Sequence, residues 1–311
     1  MHRSGARLVS RAPELSIVLP TYNRAAELSR AVESALHQSA PPETYELIVV
    51  NNNSTDDTSR VLDRLTSEHP NRIRAIVESK QGVAHARNAG IAAARAAVIA
   101  FFDDDVCVAP NWVDTIVRLF EQHPELDCAG GKVLPAWSGT PPSWLTPAHW
   151  APLALQDFGD TPMVMSLDNP KGLISANLAC RKEVFHRVGG FLPQFQRVKD
   201  GIGSLEDGEW MLRFWKSGGQ ALYTPELVTS TDVPAARQSR AYHRRWHLGH
   251  GYFYGLLRAE EMERSAVGSL FGVPAHMYRS AVQDATRWCR AAVSGADVAF
   301  LYELKLRFFA F

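Results

Sequence analysis

Four short apolar runs separated by helix-length segments constrain this chain more than any other feature. Leu15–Leu19 (LSIVL) stops at Pro20, and Tyr45–Val50 (YELIVV) runs into NNNSTDDT. Ile73–Val77 (IRAIV) precedes GVAHARNAG, and Ala97–Phe102 (AVIAFF) ends in Asp103, Asp104 and Asp105. Unalternating apolar runs of this length read as strands buried on both faces. Between them, Leu28, Val32, Ala35 and Leu36 fall on one face of a helix that Asn23 is placed to cap. Val61, Leu62 and Leu65 give the next helix its apolar face. Strands alternating with helices form βαβ units on a mostly parallel sheet. Ligands of such sheets bind beyond the carboxyl ends of the strands, where the polar clusters after Leu19, Val50 and Phe102 lie.

The remainder divides in two. Pro110 suits the first turn of a helix carrying Trp112, Val113, Ile116, Val117 and Phe120. Ala136–Pro170 is rich in Pro, Trp and Gly and reads as long loops, a place for acceptor recognition. Leu173–Cys180 reads as a strand, Arg181–Val188 as a short helix stopped by Gly189 and Gly190, Glu206–Ser217 as a helix, and Ala221–Tyr223 as a last short strand. From about Ala235 only helices are expected, with Arg and His among aromatics. The expected organisation is an α/β domain over 13–234 and a helical extension over 235–311.

With 46% hydrophobic residues among 311, the chain builds a large core and is not disordered. Lys plus Arg and Asp plus Glu both number 33, so no charge bias points to nucleic acid. Cys107, Cys128, Cys180 and Cys289 form no CxxC pair, which favours buried thiols in a reducing compartment. The basic N-terminus lacks an apolar signal core, and no stretch is long and apolar enough to span a membrane. A cytoplasmic location is expected.

Three groups carry candidate chemistry. Adjacent carboxylates at Asp103, Asp104 and Asp105 repel one another unless a cation neutralises them, and hard oxygen ligands suit Mg²⁺ or Mn²⁺. Strand alternation puts Asp103 and Asp105 on one face. From the triplet alone, a solvated acidic turn is an equal reading. Arg87 is suited to pair with a diphosphate, or is an ordinary exposed helix residue. Glu206 and Asp207 offer a base for an acceptor hydroxyl, or simply favour a helix N-terminus. His243, His247 and His250, spaced i, i+4, i+7, read as a solvated or interfacial basic face rather than a metal site.

Taken in order, LSIVLPTYNR, ELIVVNNNSTDDT, GVAHARNAGI, AVIAFFDDDV, SANLACRKEVFHRVGGF and LEDGEWMLRFWKSGG resemble glycosyltransferase family 2, of the GT-A fold. The resemblance implies a Rossmann-like, mostly parallel sheet with flanking helices. It implies an inverting enzyme that moves a sugar from a nucleoside-diphosphate-sugar to an acceptor hydroxyl with a divalent metal. Pro20, Thr21 and Tyr22 would approach the nucleoside, Asn51 and Asn53 the base, and Arg87 the base or diphosphate. Asp103 and Asp105 would be the metal pair, with Asp104 beside the ribose. Asp207 would be the general base, Glu206 would orient donor or acceptor, and Ala176 and Asn177 would lie near the transferred sugar or acceptor. Two departures stand out. Asn51 replaces the usual Asp, which leaves guanine or thymine open beside uracil. Thr231 and Asp232 stand where many relatives have a His, with Asp232 a substitute oxygen ligand. Glycan or lipid-linked acceptors are implied. Trp288, Phe308, Phe309 and Phe311 mixed with Arg279, Arg287, Arg290, Lys305 and Arg307 fit either amphipathic helices at the inner face of the plasma membrane or a helical cap. A catalytically inactive nucleotide-sugar-binding relative is the competing expectation.

Overall fold

The computed structural model describes residues 12–197, 201–261, 269–270, 273–294 and 298–309. The basic N-terminal segment and Phe311 lie outside the described residues. The elements run β1 (Leu15–Thr21), α1 (Ala25–Leu36), β2 (Tyr45–Asn51), α2 (Thr58–Glu68), β3 (Ile73–Val77), α3 (Val83–Ala93), β4 (Val98–Phe101), β5 (Val106–Val108), α4 (Trp112–Gln122), β6 (Cys128–Trp137), β7 (Met163–Met165), β8 (Leu178–Arg181), α5 (Lys182–Val188), α6 (Glu206–Lys216), β9 (Ala221–Val233), α7 (Arg240–Glu261), α8 (Ala275–Val293) and α9 (Val298–Phe308).

The sheet order is β3-β2-β1-β4-β8-β6-β9-β5, with β7 also pairing β9. The first four strands are parallel, with Leu15 beside both Tyr45 and Val98. β8 runs antiparallel to β4 and β6, and β9 bends to pair β6, β5 and β7 in turn. Both faces of the sheet are covered. Leu15, Ile17 and Leu19 of β1 pack with α1, α2 and α4 through Leu28, Val32, Leu62, Trp112 and Ile116. Val18, one residue out of phase, packs on the other face with Ala84, Phe185, Trp210 and Phe214 from α3, α5 and α6. The α/β fold class with C-terminal helices is therefore present.

Several readings change. β7 falls in the segment read as long loops, β5 was not expected, and of the strand expected over Leu173–Cys180 only Leu178–Arg181 forms, as β8. Asn23 does not cap α1: it adopts a left-handed backbone (φ 51) and its side-chain oxygen accepts the Thr55 N–H at 2.8 Å. β9 covers 13 residues rather than three, alternating buried and half-buried along most of its length. β6 was not expected at all. In the extension, Phe300 and Leu304 of α9 are buried in the same core as β1, beside Trp144.

Candidate active site

The turns after β1, β2 and β4 are tied to one another. The backbone N–H of Tyr22 donates to Asp104 at 3.3 Å, joining the first turn to the acidic tip. Asn23 joins it to Thr55 in the second turn, and the Arg24 N–H donates to the Thr58 hydroxyl at 3.0 Å. Asn52 spans outward, its amide donating to the Glu78 and Lys80 carbonyls while its oxygen accepts the Gly82 N–H. These side chains add to the backbone pairing that persists past the strand ends, where the Asn52 N–H donates to the Thr21 carbonyl at 2.8 Å.

A cavity of about 880 Å³ opens above them. Its wall includes Pro20, Thr21, Tyr22, Arg87, Asp103, Asp104, Asp105, Ala176, Glu206 and Asp207. Arg87 of α3 binds the two acidic groups together. Its guanidinium donates to Asp103 at 3.0 Å, to Glu206 at 3.2 Å and to Asp207 at 3.3 Å. Burial opposes its charge, but Asp207, Asp103 and Glu206 outweigh that and raise its pKa further. Asp207 is also held from behind, accepting the Ser175 backbone N–H at 3.1 Å and its hydroxyl at 2.9 Å.

Charge is crowded here. Burial, assisted by the Asp105 charge, pushes Asp104 up to about 7. Burial also raises Asp105, against the pull of Arg237 and Arg24, which lie 3.5 and 3.6 Å away. Asp207 is pushed up to about 6 by burial, with Arg87 opposing and Glu206 assisting. The Arg87 Nε, Glu206 Oε2 and Thr21 hydroxyl are buried without hydrogen-bond partners, and all three residues line the cavity. Buried polar atoms of that kind are open to water or a ligand in the cavity.

Other expected residues take supporting places. Asn51 accepts the Ser54 N–H and donates to the Ser59 hydroxyl, shaping the turn rather than lining the cavity. Asn53 is exposed with φ 60. Asn177 is buried behind the wall, accepting the Trp112 indole N–H and donating to the Lys132 and Leu227 carbonyls, which uses both of its amide hydrogens. Asp232 pairs with Arg30 outside the cavity wall. Thr231, its neighbour in the two-residue period of β9, lines the cavity and donates to the Asp105 carbonyl at 3.2 Å. Asp232 therefore does not stand in for a metal-ligating His. Nor are the histidines of α7 a solvated face. His243 is fully buried against Trp144, and burial pushes it down to about 4. His250 reaches the cavity. Sequence reading missed Arg24 and Asn52, just beyond β1 and β2, and Ser175 and Arg237, in short 3-10 helices before β8 and α7.

The raised Asp207 gives a pH test. Between about pH 4 and about pH 6 the folded chain holds this proton more tightly than the unfolded chain, so stability falls as pH rises and the penalty persists above that window. D207N removes the penalty. Denaturant unfolding should show D207N more stable than wild type near about pH 8, with the gap closing toward about pH 4. A pH-independent gap would contradict the burial argument.

The chain's relationships fit this architecture. The family model described as glycosyl transferase family 2 matches residues 16–189. A glucosyl-dolichyl phosphate glucuronosyltransferase of Haloferax volcanii is 24% identical over 209 residues, 67% of this chain and 65% of that protein. The chain spans less than two thirds of the length of the curated relatives it matches. Among solved structures, mannosyltransferase PcManGT from Pyrobaculum calidifontis, in complex with GDP-Man and Mn²⁺, superposes with a TM-score of 0.59 at 18% identity, covering 96% of this chain and 86% of that one. S. aureus TarS 1-349 in complex with UDP superposes with a TM-score of 0.58 at 14% identity, covering 94% and 90%. These two likenesses carry the GT-A fold alone. With the family model matched from β1 to the end of α5, the chain belongs to glycosyl transferase family 2.

Proposed function

We propose that this chain is an inverting glycosyltransferase that moves a sugar from a nucleoside-diphosphate-sugar to an acceptor hydroxyl with a divalent cation. One observation carries the reading: Asp103 at the acidic tip and Asp207 at the head of α6 meet at one buried guanidinium, in a cavity large enough for a sugar nucleotide. A structural ion-pair network would not need that volume, nor the unpartnered polar atoms of Arg87, Glu206 and Thr21 around it.

The donor nucleoside lies over Pro20, Thr21, Tyr22 and Asn52, with Asp104 toward the ribose. Asp103 and Asp105 fit Mg²⁺ or Mn²⁺. They are hard oxygen donors, and burial raises the pKa of Asp105, the form of stress a bound cation relieves. Among the described residues no set of three or more His, Cys, Asp or Glu side chains holds a metal by itself. Two carboxylates with water and substrate phosphates are the usual Mg²⁺ arrangement. When bound, the cation supplies charge stabilisation to the departing diphosphate. Arg24 and Arg237, both on the cavity wall, add fixed positive charge there.

Asp207 takes the acceptor's proton. One of its oxygens is held by Ser175 and the other faces Arg87, so its orientation is fixed before substrate arrives. Its raised pKa suits proton transfer near neutral pH. As the O–H bond breaks toward Asp207, the acceptor oxygen bonds to the anomeric carbon. The bond from that carbon to the diphosphate breaks from the opposite face, and the nucleoside diphosphate leaves with the electron pair. An α-linked donor gives a β-linked product. The relative named a glucosyl-dolichyl phosphate glucuronosyltransferase favours a glycan or lipid-linked acceptor.

A lipid-linked acceptor brings the chain to a membrane surface. Among the described residues no helix is long and apolar enough to cross one. α8 instead presents Tyr278, Val282 and Val293 outward, 39%, 66% and 91% exposed, beside Arg279 and Arg290. That pairing of apolar stripe and cations fits an anionic lipid surface.

With donor and Mn²⁺, the protein should release nucleoside diphosphate. D207N should lower transfer by about 10²–10⁴-fold while keeping donor affinity. Wild-type protein that binds nucleotide-sugar and never releases nucleoside diphosphate would establish an inactive binding relative instead. The full chain should also float with anionic vesicles and not with neutral ones, and V282E should abolish this; equal flotation of V282E would remove α8 as the contact.

A further inference from the structure

One ionised side chain on the cavity wall takes no part in donor binding or proton transfer. Asp157 lines the cavity from the segment between β6 and β7. The sheet fixes its backbone. Gln156 pairs with Val133 of β6, the two exchanging N–H to carbonyl bonds of 3.0 and 2.8 Å, and the Gln156 side-chain amide donates to the Gly131 carbonyl at 3.1 Å. Phe158 donates its N–H to the Tyr223 hydroxyl at 3.1 Å and rests its ring against the Tyr223 ring. Tyr223 belongs to β9 and is fully buried. Two strands therefore carry Asp157, and it does not ride on a free loop.

The carboxylate is anchored through one oxygen. Oδ1 accepts the Gly159 N–H at 2.8 Å and lies 3.1 Å from the Tyr223 hydroxyl, which shares its hydrogen between this oxygen and the Gly159 carbonyl. The Lys132 ammonium stands 3.5 Å from the same oxygen and makes its closer contact with Asp160. Among the described residues no hydrogen bond reaches Oδ2, and the side chain is 30% exposed. Burial works against the charge of Asp157, but the Gly159 N–H, the Tyr223 hydroxyl and Lys132 outweigh it and hold its pKa below the usual carboxylate value. Near neutral pH the group is therefore an anion that accepts hydrogen bonds and is too weak a base to take a proton.

Position decides what it meets. Val106 of β5, next to the acidic tip, pairs with Thr231; Thr231 pairs with Pro135; and Val133 pairs with Gln156. Three strand spacings, roughly 14 Å, separate the Asp157 segment from β5. A diphosphate at the tip lies away from it, and a carboxylate repels one in any case. The nucleoside belongs to the turns of Thr21 and Asn52. Sugar hydroxyls remain, and an anchored carboxylate oxygen is a strong acceptor for them.

We propose that Asp157 is a specificity-determining residue that selects among sugars by accepting a hydrogen bond from a ring hydroxyl at Oδ2. This rests on the reading of the cavity as a sugar-nucleotide site and deepens it by naming the group that chooses between hexoses. The hydroxyl has two possible sources with the same chemistry, the transferred sugar of the donor and the sugar of the acceptor. A hexose that lacks the hydroxyl, or carries it on the other face of the ring, leaves Oδ2 without water and without a partner. That penalty rejects a wrong sugar more strongly than the missing contact alone.

The test measures binding to the full chain with Mn²⁺ in two arms. The donor arm titrates UDP, GDP and a panel of their hexose conjugates by calorimetry. The acceptor arm follows p-nitrophenyl hexosides by saturation-transfer NMR, with the better-bound nucleoside diphosphate present. Monodeoxy analogues of the tightest hexose probe complete each arm. D157N keeps an oxygen for Gly159 and Tyr223 and exchanges only Oδ2 for an amide, while D157A removes the whole group. Both variants should weaken the tightest hexose probe by about tenfold or more, and affinity for bare nucleoside diphosphate should stay within about twofold. One monodeoxy analogue should bind wild type and both variants alike, because the hydroxyl and Oδ2 form one contact that is lost only once. A loss confined to the nucleotide hexoses assigns the hydroxyl to the donor, and a loss confined to the p-nitrophenyl hexosides assigns it to the acceptor. Unchanged hexose binding by both variants in both arms overturns the proposal. A matching loss for bare nucleoside diphosphate, or the same loss for every monodeoxy analogue, overturns it too, because either marks a purely structural role. So does a wild type that binds no hexose probe better than its sugar-free counterpart. Hexose selection that depends on Asp157 without any release of nucleoside diphosphate counts against the transferase reading alone.

Discussion

A guanidinium at 3% exposure is costly unless its hydrogens meet negative charge, and Arg87 meets three carboxylates from two segments more than a hundred residues apart. The rest of the site follows from that constraint. α3 must run close to β1 to bring Arg87 under the tip of β4. α6 must begin at Glu206 and point its first turn at the same spot. Ser175 must hold Asp207 from behind. Burial first, and then the neighbouring carboxylate charges, raise Asp104 and Asp207 above ordinary carboxylates, so removing any one carboxylate shifts the charge balance of the others. The arrangement is poorly optimised for stability, and functional sites commonly carry such a cost.

The N-terminal half was legible because its signals are local. LSIVL, YELIVV and AVIAFF are runs that only a two-sided parallel sheet buries, and each ends where polar residues begin. The later strands lacked such signals. β6 contains Gly130, Gly131 and Pro135, which read as loop, yet Gly131 is needed because a side chain there would meet the Leu227 carbonyl at 2.0 Å. β9 interrupts itself at Pro225 and carries Thr224, Thr229 and Thr231 at buried positions, so its two-residue period was visible in principle but only partly apolar.

At the site, residue type was legible and geometry was not. The aspartates, Arg87 and the Glu206–Asp207 pair announce themselves by charge. Which of three consecutive asparagines faces the cavity depends on a left-handed turn at Asn53, and the answer is Asn52. The family resemblance alone put Asn177 near the sugar or acceptor, whereas Trp112 and two carbonyls claim its amide. The spacing of the α7 histidines left a solvated or an interfacial face open, because nothing in the sequence announces Trp144, which contacts His243, or Phe300 beyond it.

The most direct measurement of the central ion cluster is a double-mutant cycle between Arg87 and Asp207, read by denaturant unfolding at neutral pH. R87M should destabilise the wild-type chain by about 3–5 kcal/mol, because three carboxylates lose their shared counter-charge. The same change should cost clearly less on a D207N background, where one of those charges is gone. An R87M cost below about 1 kcal/mol, or the same cost in both backgrounds, would mean that the carboxylates do not depend on Arg87 and that the account of the site is wrong.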